Sequence, residues 1–122
     1  MSRVIHFEVP ADDPQRLIKF YEKVFGWRIE KWDGPMEYWL VMTGSEDDPG
    51  IDGGLAKRTD PEVGVEITVD VADLDQALAG VESHGGEVIR PKGAVPGVGW
   101  LAYIKDTEGN ILGMMESDPD AA

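Results

Sequence analysis

The chain opens with the stretch Ile5-His6-Phe7-Glu8-Val9, which continues into Pro10-Ala11-Asp12-Asp13-Pro14. Apolar and polar side chains alternate in the first segment, as they do in a strand with one buried face. His6 and Glu8 therefore share the other face, where two titratable groups lie close together. Asp13-Pro14 then places an N-cap residue before a proline suited to the first helical turn. The opening residues thus predict a strand followed directly by a helix.

The same arrangement returns in the second half of the chain. Val65-Glu66-Ile67-Thr68-Val69 alternates as the first strand does, and Asp73 can cap a second helix. At a nearly constant offset, Asp13 aligns with Asp73, Gly26 with Gly86, and Trp39-Leu40 with Trp100-Leu101. Matching caps, glycines and Trp-Leu pairs indicate an internal repeat.

The repeat predicts an α+β fold made of two tandem βαβββ modules. We expect one domain over residues 1–122, with module one at about 1–58 and module two at about 63–117. Because each module is too small to cover its own helix and sheet, the two should form one curved eight-stranded mixed sheet. We expect the helices on the outer face and the polar side chains in a concave cavity.

Loops and chain ends are predicted from turn residues. Met36–Thr43 is expected to be the third strand, and the Pro/Gly-rich segment 91–99 a connection rather than a strand. The tail Ser117–Ala122 is expected to be frayed. Gly53 and Gly54, in the fourth strand, indicate a bulge or the close approach of another group.

Composition excludes several classes of function. The chain has no cysteine, so disulfides, thiolate metal ligands and a Cys nucleophile are excluded. A net charge of −13 makes nucleic acid and anionic membranes poor partners and favours cations. No signal peptide or membrane-spanning run is visible, and we expect a cytoplasmic protein.

Several motifs together resemble the vicinal-oxygen-chelate superfamily, which contains glyoxalase I, bleomycin-resistance proteins and extradiol dioxygenases. These motifs are His6-Phe7-Glu8-Val9-Pro10, Phe20-Tyr21-Glu22-Lys23-Val24-Phe25-Gly26-Trp27, Val71-Ala72-Asp73-Leu74-Asp75, Gly85-Gly86 and Asp106-Thr107-Glu108-Gly109-Asn110. The resemblance covers nearly the whole chain and is greatest to small glyoxalase-like members. It implies the fold that the repeat predicts, and it also implies a homodimer.

The resemblance implies where metal ligands would lie. His6 matches the first ligand position of the superfamily, and Glu66 is the donor in phase with it on the fifth strand. The second position falls at Gly54-Leu55 and the fourth at Gly113, and none of these side chains can bind a metal. We therefore expect no complete metal site and no cofactor. The alternative is a divalent Ni, Zn, Fe or Mn ion on His6, Glu8 and Glu66.

The candidate site residues allow more than one interpretation. His6 and Glu8 are the candidate catalytic residues and could act as an acid/base pair without a metal, or they could be polar residues of a wet cavity wall. Trp39 and Trp100 could line an aromatic pocket, with Met115 near its rim, or belong to the core. His84, at the end of the second helix, is expected to have a local structural role. The predicted ligand pocket comprises His6, Glu8, Trp39, Glu66, Trp100 and Met115.

Two functions follow from these residues. The preferred one is a small-molecule-binding protein of the bleomycin-resistance type that holds an aromatic or cationic ligand without a complete metal site. The alternative is a divalent-metal-dependent glyoxalase-like lyase or isomerase.

Overall fold

The alternating segment at the start of the chain forms the first strand of the computed structural model, which describes all 122 residues. Strand β1 covers Val4–Ala11 and leads into helix α1, Pro14–Phe25. The following strands are β2 (Arg28–Lys31), β3 (Trp39–Met42) and β4 (Gly53–Lys57). The second half consists of β5 (Glu66–Asp70), α2 (Leu74–Ser83), β6 (Glu87–Val95), β7 (Gly99–Lys105) and β8 (Ile111–Ser117). The chain therefore has the order βαβββ twice.

The two helices begin in the same way. The side chain of Asp13 accepts a hydrogen bond from the Arg16 amide at 3.2 Å, and that of Asp73 accepts one from the Gln76 amide at 3.0 Å. Each cap satisfies one of the amides that a helix start leaves unpaired. The predicted helix starts are thus explained by the same short side chain at equivalent positions.

The two helices end differently. Gly26 caps α1 with φ of 71°, in the left-handed region that favours glycine. His84 caps α2, and its Nδ1 lies 2.9 Å from the carbonyl oxygen of Gly80. His84 therefore has the local structural position that its place at the helix end indicates.

The eight strands form one open mixed sheet in the order β2-β3-β4-β1-β5-β8-β7-β6. Strand β1 pairs with β4 and β5 pairs with β8 in parallel, whereas β2-β3, β3-β4, β6-β7 and β7-β8 are antiparallel. The α+β class and the eight-stranded mixed sheet that the repeat predicts are confirmed.

The chain divides into two compact units. The N-terminal unit is His6–Val65, and the C-terminal unit combines Met1–Ile5 with Glu66–Ala122. The first residues belong with the second half because the Arg3 carbonyl accepts a hydrogen bond from the Asp70 amide at 2.8 Å. The assignment of the whole chain to one domain stays a prediction.

Each unit has its own apolar core beneath its helix. The core of the N-terminal unit contains Ala11, Ile18, Trp39, Val41 and Leu55. The core of the C-terminal unit contains Val71, Leu74 and Ala102. Full burial of a Val, Leu or Ile side chain contributes roughly 1.5–3 kcal/mol, so each helix is fixed mainly by packing.

Two predictions about the connections need correction. Strand β3 is shorter than predicted because residues 36–38 lie outside the strand. Strand β6 extends to Val95 through two register shifts against β7, so residues 91–95 are strand and not connection. Proline is compatible with an edge strand where the ladder is interrupted, and β6 is such a strand.

The predicted fraying of the C-terminal tail is also wrong. Ala121 is only 4% exposed, and its carbonyl accepts a hydrogen bond from the Gly97 amide at 2.9 Å. The Asp118 amide donates to the Val98 carbonyl at 3.0 Å. The tail is thus held on the turn between β6 and β7. Neither helix of the protein has the length and apolar character needed to cross a membrane.

Candidate functional site

Strand β1 separates its side chains onto two faces. Phe7 packs against the core beneath α1, and Val9 is buried. The neighbouring His6 and Glu8 therefore project from the opposite face, as alternation requires. Glu8 lies directly across from Gly54 in the parallel pairing of β1 with β4.

Three side chains of the N-terminal unit form a hydrogen-bonded group on that face. The Tyr38 hydroxyl donates to Glu8 Oε1 at 3.0 Å and lies 2.9 Å from His6 Nε2. Since a tyrosine hydroxyl has one proton and gives it to Glu8, Nε2 must donate the proton of the second bond. His6 Nε2 and Glu8 Oε1 are themselves 3.4 Å apart. We call His6, Tyr38 and Glu8 the polar triad.

Tyr38 reaches this position because Gly54 has no side chain. A Cβ atom placed on Gly54 would overlap the Tyr38 hydroxyl and ring. The Tyr38 carbonyl accepts a hydrogen bond from the Trp32 amide at 2.8 Å, and the two rings meet edge to face with centroids 5.9 Å apart. The absence of a side chain at Gly54 and the contacts with Trp32 thus position the Tyr38 hydroxyl over the sheet.

The polar triad remains accessible to a ligand. The side chains of His6 and Glu8 are 29% and 24% exposed, and Tyr38 is half-buried. Partial burial strengthens hydrogen bonds to charged groups relative to those in open solvent. The group can therefore offer a carboxylate, a hydroxyl and an imidazole to a small molecule, and it can move a proton between them.

The two tryptophans of the predicted pocket lie against the cores. Trp39 is only 9% exposed and packs with Ile18 of α1. Trp100 packs against the core that contains Leu74 of α2, and its indole N–H donates to Asp118 Oδ2 at 3.0 Å. The repeat does place both rings equivalently, but toward the helices. Both rings thus contact the apolar cores, as the second interpretation of them expects, and their assignment to the ligand pocket stays a prediction.

Glu66 and Met115, the other predicted pocket residues, belong to the C-terminal unit. Glu66 begins β5 and is half-buried, and Met115 lies opposite Leu101 in the pairing of β7 with β8. Gly113 lies across from Thr68, and a Cβ there would come within 3.0 Å of Thr68 Oγ1. These residues do not repeat the polar triad, and their role in a pocket stays a prediction.

The side chains present do not fit a metal ion held by the protein alone. No three His, Cys, Asp or Glu side chains are grouped as a metal site requires. The His6–Glu8 pair supplies two donor atoms, and the nearest position on β4 is Gly54. Protein sites for divalent transition metals take three or four ligands, and the His6–Glu8 pair by itself supplies fewer; the set of His6, Glu8 and Glu66 stays a prediction.

A separate cleft of about 330 Å³ lies in the C-terminal unit. Asp70, Val71, Glu116 and Ser117 contribute to its wall. Glu116 Oε1 accepts a hydrogen bond from the Leu74 amide at 2.9 Å, so this carboxylate serves the start of α2. None of the predicted pocket residues lines this cleft.

Tyr38 is the site residue that sequence reasoning did not assign. Its signal was its place next to Trp39: if Trp39 faces the core, Tyr38 faces the side that carries His6 and Glu8. Gly54, opposite Glu8, provided the second signal, because a strand residue without a side chain leaves room for the end of a long side chain from another segment.

A duplicated βαβββ order in one mixed sheet defines a class of small α+β proteins. The model of the Glyoxalase/Bleomycin resistance protein/Dioxygenase superfamily matches residues 3–114, and the chain belongs to this superfamily. The resemblance to the vicinal-oxygen-chelate superfamily is thereby confirmed.

Three similar proteins illustrate the relationship. A glyoxylase-like domain-containing protein of Didymella fabae is 29% identical over 89% of both chains. A probable lactoylglutathione lyase of Vibrio parahaemolyticus is 24% identical, covering 99% of this chain and 95% of its own. The structure of methylmalonyl-CoA epimerase from Streptomyces coelicolor superposes with a TM-score of 0.71 at 17% identity, covering 98% and 97% of the two chains. That superposition shows the shared fold.

Proposed function

We propose that this protein is a small-molecule-binding member of the superfamily that holds an aromatic or cationic ligand without a complete metal site. The polar triad is the recognition element. The observation that carries the proposal is the pair of hydrogen bonds from Tyr38 to Glu8 and from His6 to Tyr38, at 3.0 and 2.9 Å. These two hydrogen bonds join three polar side chains of the protein to one another without a metal ion.

The chemistry of this surface favours a positively charged or aromatic ligand. Glu8 supplies a carboxylate that is 24% exposed, and the net charge of −13 attracts cations from a distance. The Tyr38 hydroxyl donates to this carboxylate, and the Trp32 ring meets the Tyr38 ring edge to face. Aromatic rings stabilise a cation within about 6 Å of their centroids by about 0.5–2 kcal/mol.

A thermal-shift screen in the presence of a chelator tests the proposal. Aromatic cations such as quaternary anilinium compounds should raise the melting temperature, since ligand at about 100 times its Kd adds about 2.7 kcal/mol of stability. The Glu8→Gln variant should lose this response. Glu82→Gln, an exposed carboxylate of α2, is the matched control and should retain it. Absence of a shift with every aromatic or cationic compound would contradict the proposal.

The alternative function is a divalent-metal-dependent lyase or isomerase. It is supported by the similarity to a probable lactoylglutathione lyase and by the 3.4 Å separation of His6 Nε2 from Glu8 Oε1. Metal analysis of protein purified without a chelator decides between the two. One Ni, Zn, Fe or Mn ion per chain, lost in His6→Ala, would favour the alternative.

We also propose that the protein forms a homodimer, as the superfamily resemblance implies. Phe20, Val24 and Phe25 of α1 are each more than half exposed, which leaves apolar surface available for association. Light scattering at micromolar concentration measures the mass directly. A single chain mass would remove this proposal and leave the binding proposal intact.

A further inference from the structure

We infer that Tyr38 determines what the His6–Glu8 pair can bind. Its hydroxyl forms hydrogen bonds with both side chains and so prevents them from binding a divalent metal ion. The inference rests on the proposed function and deepens it, since it names the residue that keeps the site metal-free. In this capacity Tyr38 is a positioning and specificity residue, not a catalytic one.

The spacing of the pair is the first argument. His6 Nε2 and Glu8 Oε1 lie 3.4 Å apart. Two donors that share a tetrahedral zinc ion at about 2.1 Å are themselves about 3.4 Å apart. The pair thus has the separation of two ligands of one ion, and without Tyr38 it would be a partial metal site.

The direction of the hydrogen bonds is the second argument. His6 Nε2 directs its proton at the Tyr38 hydroxyl, and a metal ligand must bind through a nitrogen that has no proton. Glu8 Oε1 accepts the hydroxyl proton. Both donor atoms are therefore engaged by the same oxygen, and a metal ion could join them only after Tyr38 moves away.

Gly54 provides the third argument. It faces Glu8 in the strand pairing, so a side chain at this position could supply a third donor atom. A Cβ on Gly54 would overlap the Tyr38 hydroxyl. Tyr38 and a ligand side chain at position 54 are therefore mutually exclusive in the observed arrangement.

A double-mutant cycle with added metal tests this inference. The four proteins are wild type, Tyr38→Ala, Gly54→His and the double variant, each stripped with a chelator and titrated with Ni²⁺ or Zn²⁺ by calorimetry. We expect the double variant to bind one ion per chain at least tenfold more tightly than Gly54→His alone. Adding His6→Ala to the double variant should abolish that binding.

Two further variants separate the hydroxyl from general effects on folding. Tyr38→Phe keeps the ring, and Tyr21→Phe removes a hydroxyl from the core side of the same unit as a matched control. Circular dichroism and thermal melting confirm that each variant folds. A Gly54→His protein that fails to fold is replaced by Gly54→Asp, which supplies a shorter donor at the same position.

Equal metal affinity with and without Tyr38 would overturn the inference. So would His6-dependent binding by the wild type that weakens in Tyr38→Ala, because Tyr38 would then be a ligand itself. The proposed function has a different readout, which is stabilisation by aromatic or cationic compounds in the presence of a chelator. Failure of one is therefore distinguishable from failure of the other.

Discussion

The two βαβββ units share a framework and differ in what they place on the face opposite the helix. In the N-terminal unit, Glu8 lies across from Gly54 and is bridged to His6 by Tyr38. In the C-terminal unit, the corresponding pair is Thr68 and Gly113, and Thr68 is only 5% exposed. The duplicated backbone therefore carries the polar triad once.

One part of the difference lies at the position before the tryptophan that both units share. The residue before Trp39 is Tyr38, whereas the residue before Trp100 is Gly99. Gly99 is buried, and a Cβ there would approach Met115 Sδ to 2.8 Å. A long side chain is thus accommodated in one unit and excluded from the other, which shows that duplication of the fold does not duplicate the chemistry.

The largest effect is expected where the units are alike, in their cores. Leu55 and Leu74 are fully buried, so Leu55→Ala and Leu74→Ala should each lower the free energy of unfolding by about 2–5 kcal/mol. Urea denaturation measures both. Leu40→Ala, at a position 37% exposed, is the control and should cost much less. A small effect in only one unit would show that this unit contributes little to global stability.

The second-largest expected effect is a difference in stability between alanine substitutions at Gly54 and at Gly113. Gly54→Ala forces Tyr38 to rotate away and lose both hydrogen bonds, so we expect a loss of about 1–3 kcal/mol. Gly113→Ala meets Thr68 Oγ1 at 3.0 Å and requires only a small shift, so at most about 1 kcal/mol is expected. Thermal unfolding of the two variants compares them, and equal losses would remove the distinction between the units.

Removal of the Tyr38 hydroxyl should have a smaller effect. Tyr38→Phe deletes two hydrogen bonds whose partners remain partly exposed to water, so the expected loss is about 1 kcal/mol. Tyr21→Phe should be close to neutral in the same denaturation experiment. If both variants behave alike, the polar triad contributes nothing to stability.

The smallest effect is a pH dependence that belongs to the C-terminal unit. The hydrogen bond from the Trp100 indole, with a second from the Asp120 amide, lowers the pKa of the Asp118 carboxyl. A lowered pKa favours the ionised form in the folded protein, so this stabilisation is present above the unfolded pKa of about 3.9 and is lost as the pH falls below it.

Comparison with Asp118→Asn measures this effect. The variant should be less stable than wild type at neutral pH, and the difference should shrink as the pH approaches 2.5 in urea titrations. A difference that stays constant with pH would show that the carboxylate charge is not involved.

The sequence predicted the framework because its signals are local and repeated. Asp13 and Asp73 identify both helix starts, and the alternation around His6 and Ile67 identifies the strands that carry them. Alignment of these signals between the two halves of the chain predicted the fold class. Such features depend on neighbouring residues alone, so a single sequence is enough to find them.

The site was predicted only in part, for physical reasons that concern contacts distant in sequence. His6 and Glu8 share a strand and were found together. Tyr38 meets them from the residue before β3, and its direction could not be assigned while the sequence left open whether Trp39 faces the core or the pocket. The same limit explains Asp118, whose bond to Trp100 holds a tail that composition alone marks as frayed.

The overlap between Tyr38 and position 54 also has an evolutionary consequence. A substitution that adds a side chain at Gly54 meets Tyr38, whereas the same substitution after Tyr38 has been lost does not. The effect of one mutation thus depends on the other, which is epistasis with a defined order. A lineage moving between metal-free and metal-binding states through this position would change the tyrosine first and the glycine second.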